Sequence, residues 1–214
     1  EILLPKSVSF QNYSQKSGSI LETGIVFLLS SWKERRLAPK RHRRAWTMQM
    51  TQFIRMTADE KDILSIRNLA RVTFPATYSS IISAEQIDFM MDMMYSETVL
   101  RRELEGGVTF LMLLADGTPA GFVSFGKQDD EGLFHLHKIY LLPEFQGLGY
   151  GREMFLKAER EMRSQGAKAF ELNVNRHNKA LDFYKKMGMS IDRSGDFDIG
   201  GGFYMNDYIM RKEL

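Results

Sequence analysis

Pro143-Glu144-Phe145-Gln146-Gly147-Leu148-Gly149-Tyr150-Gly151-Arg152 is the stretch on which the reading of this chain turns. It follows an apolar run ending in Ile139-Tyr140-Leu141-Leu142 and precedes a helical pattern. Three alternate glycines therefore stand where a strand hands over to a helix. Glycine accepts positive φ and lets a ligand come close to the backbone. The first amides of the following helix lack internal partners and carry the positive end of its dipole. Such a place binds phosphate or pyrophosphate. A nucleoside triphosphatase loop needs Lys-Ser/Thr after its last glycine, and here Arg152-Glu153 follows Gly151. A dinucleotide fingerprint needs glycine where Arg152 stands, and the acid roughly twenty residues on, Glu171, opens its strand rather than ending it. A glycine-rich turn that serves packing alone is the remaining plain alternative.

Reading outward, residues 133–142 form the strand before the loop, ended by Pro143. Met154, Phe155, Ala158 and Met162 mark the helix after it, which runs to Gln165 and stops at Gly166. Residues 108–115 and 120–126 are apolar, strand-like runs joined by Asp116-Gly117, a hairpin signal. Residues 52–56 predict a first strand. Thr57-Ala58-Asp59-Glu60 has the form of a capping box, and Ile63, Ile66, Leu69 and Ala70 carry a helix over 58–72. Ser83-Ala84-Glu85-Gln86 is a second box, with Ile87, Met90, Met91 and Met94 as the core stripe behind it. A further helix over 96–105 closes at Gly106-Gly107. Residues 169–174 read as a strand and 178–187 as a helix with Ala180, Phe183, Tyr184 and Met187 on one face. Short strands near 189–193 and 203–211 finish a single α/β domain over 50–214.

Gln146-x-x-Gly149-x-Gly151 resembles the pyrophosphate-loop signature of the GNAT superfamily of N-acetyltransferases. Asn178-x-x-x-x-Phe183-Tyr184-x-x-x-Gly188 is similar to that family's second conserved stretch. The resemblance covers residues 52–213. It implies a mixed, mainly antiparallel sheet with flanking helices, whose central strand splays from its neighbour. It also implies acetyl-CoA as cosubstrate, with pantetheine pairing to the backbone of Ile139, Tyr140 and Leu141. One unpaired amide there would polarise the thioester carbonyl. Gln146, Gly147, Leu148, Gly149, Tyr150, Gly151 and Arg152 would cradle the pyrophosphate through backbone amides. Tyr184 matches the tyrosine that protonates the departing thiolate, although its helical stripe equally suits a core tyrosine. Asn178 would be both helix N-cap and cofactor contact, and Asn173 a further contact, direct or through water.

The acceptor amine must lose a proton before it attacks, since an alkylamine has a pKa near ~10. His135 and His137 share a face of the central strand if it alternates regularly, and imidazoles suit a base. The family often places a carboxylate in this region, so both histidines depart from its pattern. Thr73-Phe74-Pro75-Ala76-Thr77-Tyr78 and the segment from Phe203 to Met210 are similar to a bacterial branch containing polyamine acetyltransferases. Asp196, Asp198 and Asp207 would then meet a polycation. The expected reaction is direct acetyl transfer to a primary amine of a small molecule or protein. A non-catalytic acyl-CoA sensor is the alternative, and a homodimer is compatible with either.

Composition narrows the chemistry. The chain has 214 residues and no cysteine, which removes disulfides, thiolate metal sites and an acyl-cysteine intermediate. No ligand spacing suggests a metal. A cysteine-free chain fits a reducing compartment, the cytoplasm. The apolar run from Ile25 to Leu29 is far too short for a membrane span. The net charge of +2 hides an asymmetry, because residues 1–49 hold nine Lys/Arg against three acids. The basic run from Lys33 to Arg44 lacks periodicity and aromatic interleaving, so it reads as a weakly ordered extension rather than a nucleic-acid site.

Overall fold

The structure, a computed structural model, describes residues 50–129 and 131–214. The expected basic extension over residues 1–49 lies outside the described residues. Strand β1 (Thr51–Arg55) leads into helix α1 (Glu60–Tyr78), α2 (Ala84–Tyr95) and α3 (Glu97–Glu105). Strands β2 (Thr109–Ala115), β3 (Thr118–Lys127) and β4 (Leu133–Leu141) then form the meander. A single 3₁₀ turn at Pro143–Phe145 precedes α4 (Tyr150–Ser164). Next come β5 (Ala169–Asn175), α5 (Leu181–Lys186), β6 (Ser190–Gly200) and β7 (Phe203–Glu213). The strands make one seven-stranded sheet in the order β1-β2-β3-β4-β5-β7-β6, antiparallel except between β4 and β5.

Two cores lie on the two faces. Phe125, Phe134, Leu136, Phe170, Leu172 and Val174 pack with Met154, Phe155, Ala158 and Met162 of α4. Phe110, Met112 and Phe122 pack on the other face with Ile63, Ile66, Phe74, Met90, Tyr95 and Leu100 of α1–α3. Phe74, Phe110, Phe122, Phe134 and Phe170 are fully buried, and each would cost about 3–5 kcal/mol if cut to alanine.

Local signals were partly redirected by these cores. The Asp116-Gly117 turn forms as expected, with φ of 49° and 77° at the two positions. The first capping box does not close. Asp59 is the N-cap without a side-chain bond, and Thr57 binds Asp62 Oδ2 with its amide and its hydroxyl, at 2.8 and 2.9 Å. The second box closes by half: Ser83 Oγ accepts the Gln86 amide at 3.2 Å, while the Gln86 side chain donates to Tyr204 O at 2.8 Å. Helix α1 runs past the expected end at 72, through Pro75 to Tyr78. Proline removes one helical bond, but Phe74 is anchored in the core. Thr73 and Thr77 hydroxyls bond back to Leu69 O and Thr73 O. Strand β6 reaches Gly200 rather than stopping near 193, bulging twice along β7.

Candidate active site at a fork in the sheet

The sheet forks where its direction changes. Strands β4 and β5 pair only at Leu133↔Ala169, Phe134↔Phe170 and His135↔Glu171. Beyond that rung β4 stays with β3 as far as Gly121↔Leu141, and β5 follows β7 as far as Asn175↔Asp207. The edge of β4 from Leu136 to Leu141 therefore faces a gap instead of a strand partner. Ile139, Tyr140 and Leu141 lie on this open edge, where backbone groups without a partner must find one elsewhere. Gly121 of β3 is what lets the neighbouring strand lie so close: a Cβ there would stand 2.3 Å from Tyr140 O.

A β-bulge shapes the same strand. Ser124 pairs with Lys138 and Phe125 with Leu136, so His137 is the extra residue on β4. The bulge reverses the faces beyond it. Leu136 belongs to the α4 core, whereas Lys138 turns to the α1–α3 side, binds Glu103 at 2.7 Å and lies over the rings of Tyr95 and Phe110. His135 and His137 nevertheless share a face, their ring centroids 4.9 Å apart. Burial lowers the His135 pKa against the upward pull of Glu171. Burial, then His135 and Lys138, lowers His137 to about 4. Both imidazoles are neutral at pH 7.

At the end of the open edge, the glycine loop makes its turn. Gly147 and Gly149 have φ of 77° and 93°, and a Cβ on either would meet open space, so only their backbone conformation demands glycine. Gly149 is the N-cap of α4, and no side chain caps it, leaving the first amides of the helix free for a ligand. Gly151 differs, since its φ is not positive and a Cβ there would make ordinary contact with the Phe183 ring at 3.9 Å, so neither conformation nor space demands glycine. Gln146 Nε2 donates to Leu141 O at 3.1 Å and ties the loop to the end of β4. Leu148 is exposed at the crest, while the Tyr150 side chain is buried in the core beside Phe145. Arg152 lines a surface cavity of about 400 Å³ with Thr51, Glu153 and Arg160.

Tyr184 closes the other side of the gap. It is buried on α5 against Phe155 and Phe183. Burial first, and then Tyr78, pushes its pKa up, so the proton stays on the phenol. Asn178 Oδ1 accepts the Ala180 amide at 2.8 Å and caps the turn before α5, which begins at Leu181 rather than at 178. Tyr78, at the end of the α1 turns that the periodicity did not reach, is the residue the sequence did not assign. Burial raises its pKa, while Tyr140 and Asn178 pull it down and Asp207 adds to the rise. Tyr140 is raised by burial and by Tyr78 and Tyr95. The end of α1 thus connects Tyr184, Asn178, Tyr140 and Asp207. The histidines influence one another, Lys138 and Glu171 instead.

The three aspartates expected to meet a polycation have different fates. Asp196 pairs with Arg176 at 2.9 Å and accepts from Asn206 at 2.7 Å. Asp198 Oδ1 accepts the Gly200 amide inside the β6–β7 turn. Asp207 is buried, with Asn173 Nδ2 at 3.5 Å as its hydrogen-bond donor. No group of three or more metal-binding side chains occurs among the described residues.

A forked sheet, a glycine loop at the tip of the open edge and a buried tyrosine on the helix that follows β5 form one constellation. The sequence profile of the acetyltransferase (GNAT) family matches residues 63–189. The chain belongs to the GNAT family. Spermidine N(1)-acetyltransferase of Thermoplasma acidophilum is 28% identical over 159 residues, covering 72% of this chain and 92% of that protein. An uncharacterized N-acetyltransferase of Mycobacterium tuberculosis is 30% identical over 148 residues, covering 68% and 94%. The crystal structure of the PaiA N-acetyltransferase of Thermoplasma acidophilum in complex with coenzyme A superposes with a TM-score of 0.65 at 26% identity. It covers 77% of this chain and 99% of that one. Acetyl-CoA is the cosubstrate of GNAT enzymes, and the residues at the fork fit it: an unpaired strand edge for an amide-bearing arm and free helix amides for a pyrophosphate. No described helix is long and apolar enough to cross a membrane.

Proposed function

We propose that the protein transfers the acetyl group of acetyl-CoA to a primary amine of a small molecule or protein, directly and without an acyl-enzyme. The observation that carries this reading is the fork between β4 and β5 with Tyr184 across it. Ile139, Tyr140 and Leu141 offer backbone groups to the pantetheine arm. Residues Gln146 to Arg152 offer amides to the pyrophosphate, with Asn173 and Asn178 at the rim. An amide of the open edge stabilises charge on the carbonyl oxygen. Tyr184 donates its proton to the departing sulfur. A phenol whose pKa is raised by burial arrives at that step still protonated. The absence of cysteine supports direct transfer and suits a cytoplasmic setting. A polyamine is one candidate acceptor, supported by the name of the 28% identical relative. His135 and His137 stand at the root of the fork as candidate proton acceptors, though pKa values this low match an alkylammonium near ~10 poorly. Residues 1–49 take no part in catalysis on this reading, and a chain starting at Met48 should retain kcat.

Calorimetry with acetyl-CoA, followed by thiol release over a panel of polyamines, diaminoalkanes, arylamines, amino acids and peptide N-termini, tests the proposal. Binding together with amine-dependent release is expected. Binding with no release for any amine would instead support a non-catalytic acyl-CoA sensor.

A further inference from the structure

We infer that Asp207 is the residue that recognises the acceptor, and that the acceptor class it selects is a cationic alkylamine rather than a neutral amine. This rests on the acetyl-transfer reading above. Asp207 on β7 lies directly opposite Asn175 on β5, and residues directly opposite one another project from the same face. Phe170, Leu172 and Val174 of β5 pack with the α4 core, so Glu171, Asn173, Asn175 and Asp207 occupy the other face, toward α1–α3. Asp207 is therefore at the mouth of the fork, on the side where Tyr78 ends α1.

The carboxylate is poorly provided for. It is 4% exposed, and burying an ionised carboxylate is costly unless partners surround it. A carboxylate can accept about four hydrogen bonds; Asn173 Nδ2 supplies one, at 3.5 Å. The nearby cation, Arg176, commits Nη2 to Gly195 O and Asp196, and it makes no hydrogen bond to Asp207 although its charge lowers the Asp207 pKa. The groups that act on Asp207 are Asn173 of β5 through a hydrogen bond, Arg176 beyond it through its charge, and Tyr78 of α1. Burial is the largest influence and raises its pKa, so the ionised form is short of a positive partner. An alkylammonium supplies the missing charge and up to three donors. Tyr78 acts on both Asp207 and Tyr184, and the ammonium held at Asp207 passes one proton to that carboxylate before its neutral nitrogen attacks the thioester. With Asp196 and Asp198 already engaged, the β6–β7 hairpin offers one ammonium site and not a row of them.

The test compares wild type, Asp207→Asn and Asp207→Glu with n-butylamine, 1,4-diaminobutane and spermidine against aniline, which is neutral at pH 7. Wild type should prefer the alkylamines. Asp207→Asn should raise KM for them by roughly 30-fold or more, leave aniline turnover within about 2-fold, and leave acetyl-CoA affinity by calorimetry unchanged. Asp207→Glu should restore part of the alkylamine preference. Equal losses with both amine classes, or wild-type preference for aniline, would overturn the inference, and the latter needs no variant. Titration of the coenzyme A complex with n-butylamine adds a readout independent of turnover: binding lost in Asp207→Asn supports the anchor, and unchanged binding refutes it. Failure of wild type to bind acetyl-CoA would instead reject the acetyl-transfer reading itself.

Discussion

At the scale of single residues, the proposed transfer depends on keeping one proton available and one backbone edge bare. Tyr184 is buried among aromatic rings. Replacing it with phenylalanine removes the donor and almost nothing from the packing. Tyr184→Phe should therefore lower kcat by about 100-fold while acetyl-CoA affinity stays unchanged by calorimetry. An unchanged kcat would return Tyr184 to the role of a core residue. The candidates at this scale come from the sequence. Asn178, Tyr184 and the glycines occur at family spacing, and side chains at fixed offsets on short elements have little freedom to move. Tyr78 was given no role of its own, and Asp207 was grouped with Asp196 and Asp198, because what sets them apart is non-local. Tyr78 becomes a site residue only when α1 continues through Pro75. Asp207 becomes distinct from Asp196 and Asp198 only when the pairing partners of all three are known.

At the scale of elements, the fork needs a strand that lies flush on one side and is free on the other. Gly121 provides the first condition, because a Cβ there would stand 2.3 Å from Tyr140 O. Gly121→Ala should displace the Tyr140 peptide and raise the Kd for acetyl-CoA, measured by calorimetry, with a smaller effect on thermal stability. Unaltered affinity would mean that this edge of β4 does not hold the cosubstrate. Glu171 holds the root of the fork. It sits on the last rung with His135, its side chain 3% exposed, and binds Arg193 of β6 at 2.7 Å and Arg211 of β7 at 3.3 Å. Arg193 is the main cause that lowers its pKa below the ordinary glutamate value. A lowered folded-state pKa contributes stability that is present above the unfolded value, near ~4.3, and lost as pH falls through the folded one. Glu171→Gln should cost about 1.5–3 kcal/mol at pH 7, and the difference in Tm from wild type should shrink below the ordinary glutamate range. A gap that persists in acid would argue that packing, not charge, holds this corner. The sequence displayed the strands but not this clasp, since cross-strand partners follow from register, and register is set by the assembled sheet. The bulge at His137 was hidden for the same reason: strict alternation in the sequence does not reveal an extra residue that the partner strand leaves unopposed.

At the scale of the whole molecule, one sheet carries two tasks. Its α4 face is a dry core that fixes the glycine loop, and its α1–α3 face combines a second core with the polar groups at the mouth of the fork. The order of elements was readable because apolar periodicity and glycine stops are local signals. The division of labour between faces was not, because it depends on which face each strand turns to each helix layer. The β6–β7 hairpin shows the difference well. Between the strands expected near 189–193 and 203–211 its sequence is polar and glycine-rich, yet β6 extends to Gly200 and the hairpin reaches α2, where Gln86 donates to Tyr204 O and Phe89 packs on Phe203 at 5.3 Å. The proposed direct transfer requires both substrates to occupy the fork together, acetyl-CoA along the open edge and the amine from the opposite face. Initial-velocity kinetics with both substrates varied tests this most directly. Direct transfer predicts amine-dependent thiol release with double-reciprocal lines that intersect to the left of the axis. Parallel lines, or thiol release that proceeds equally without amine, would contradict it.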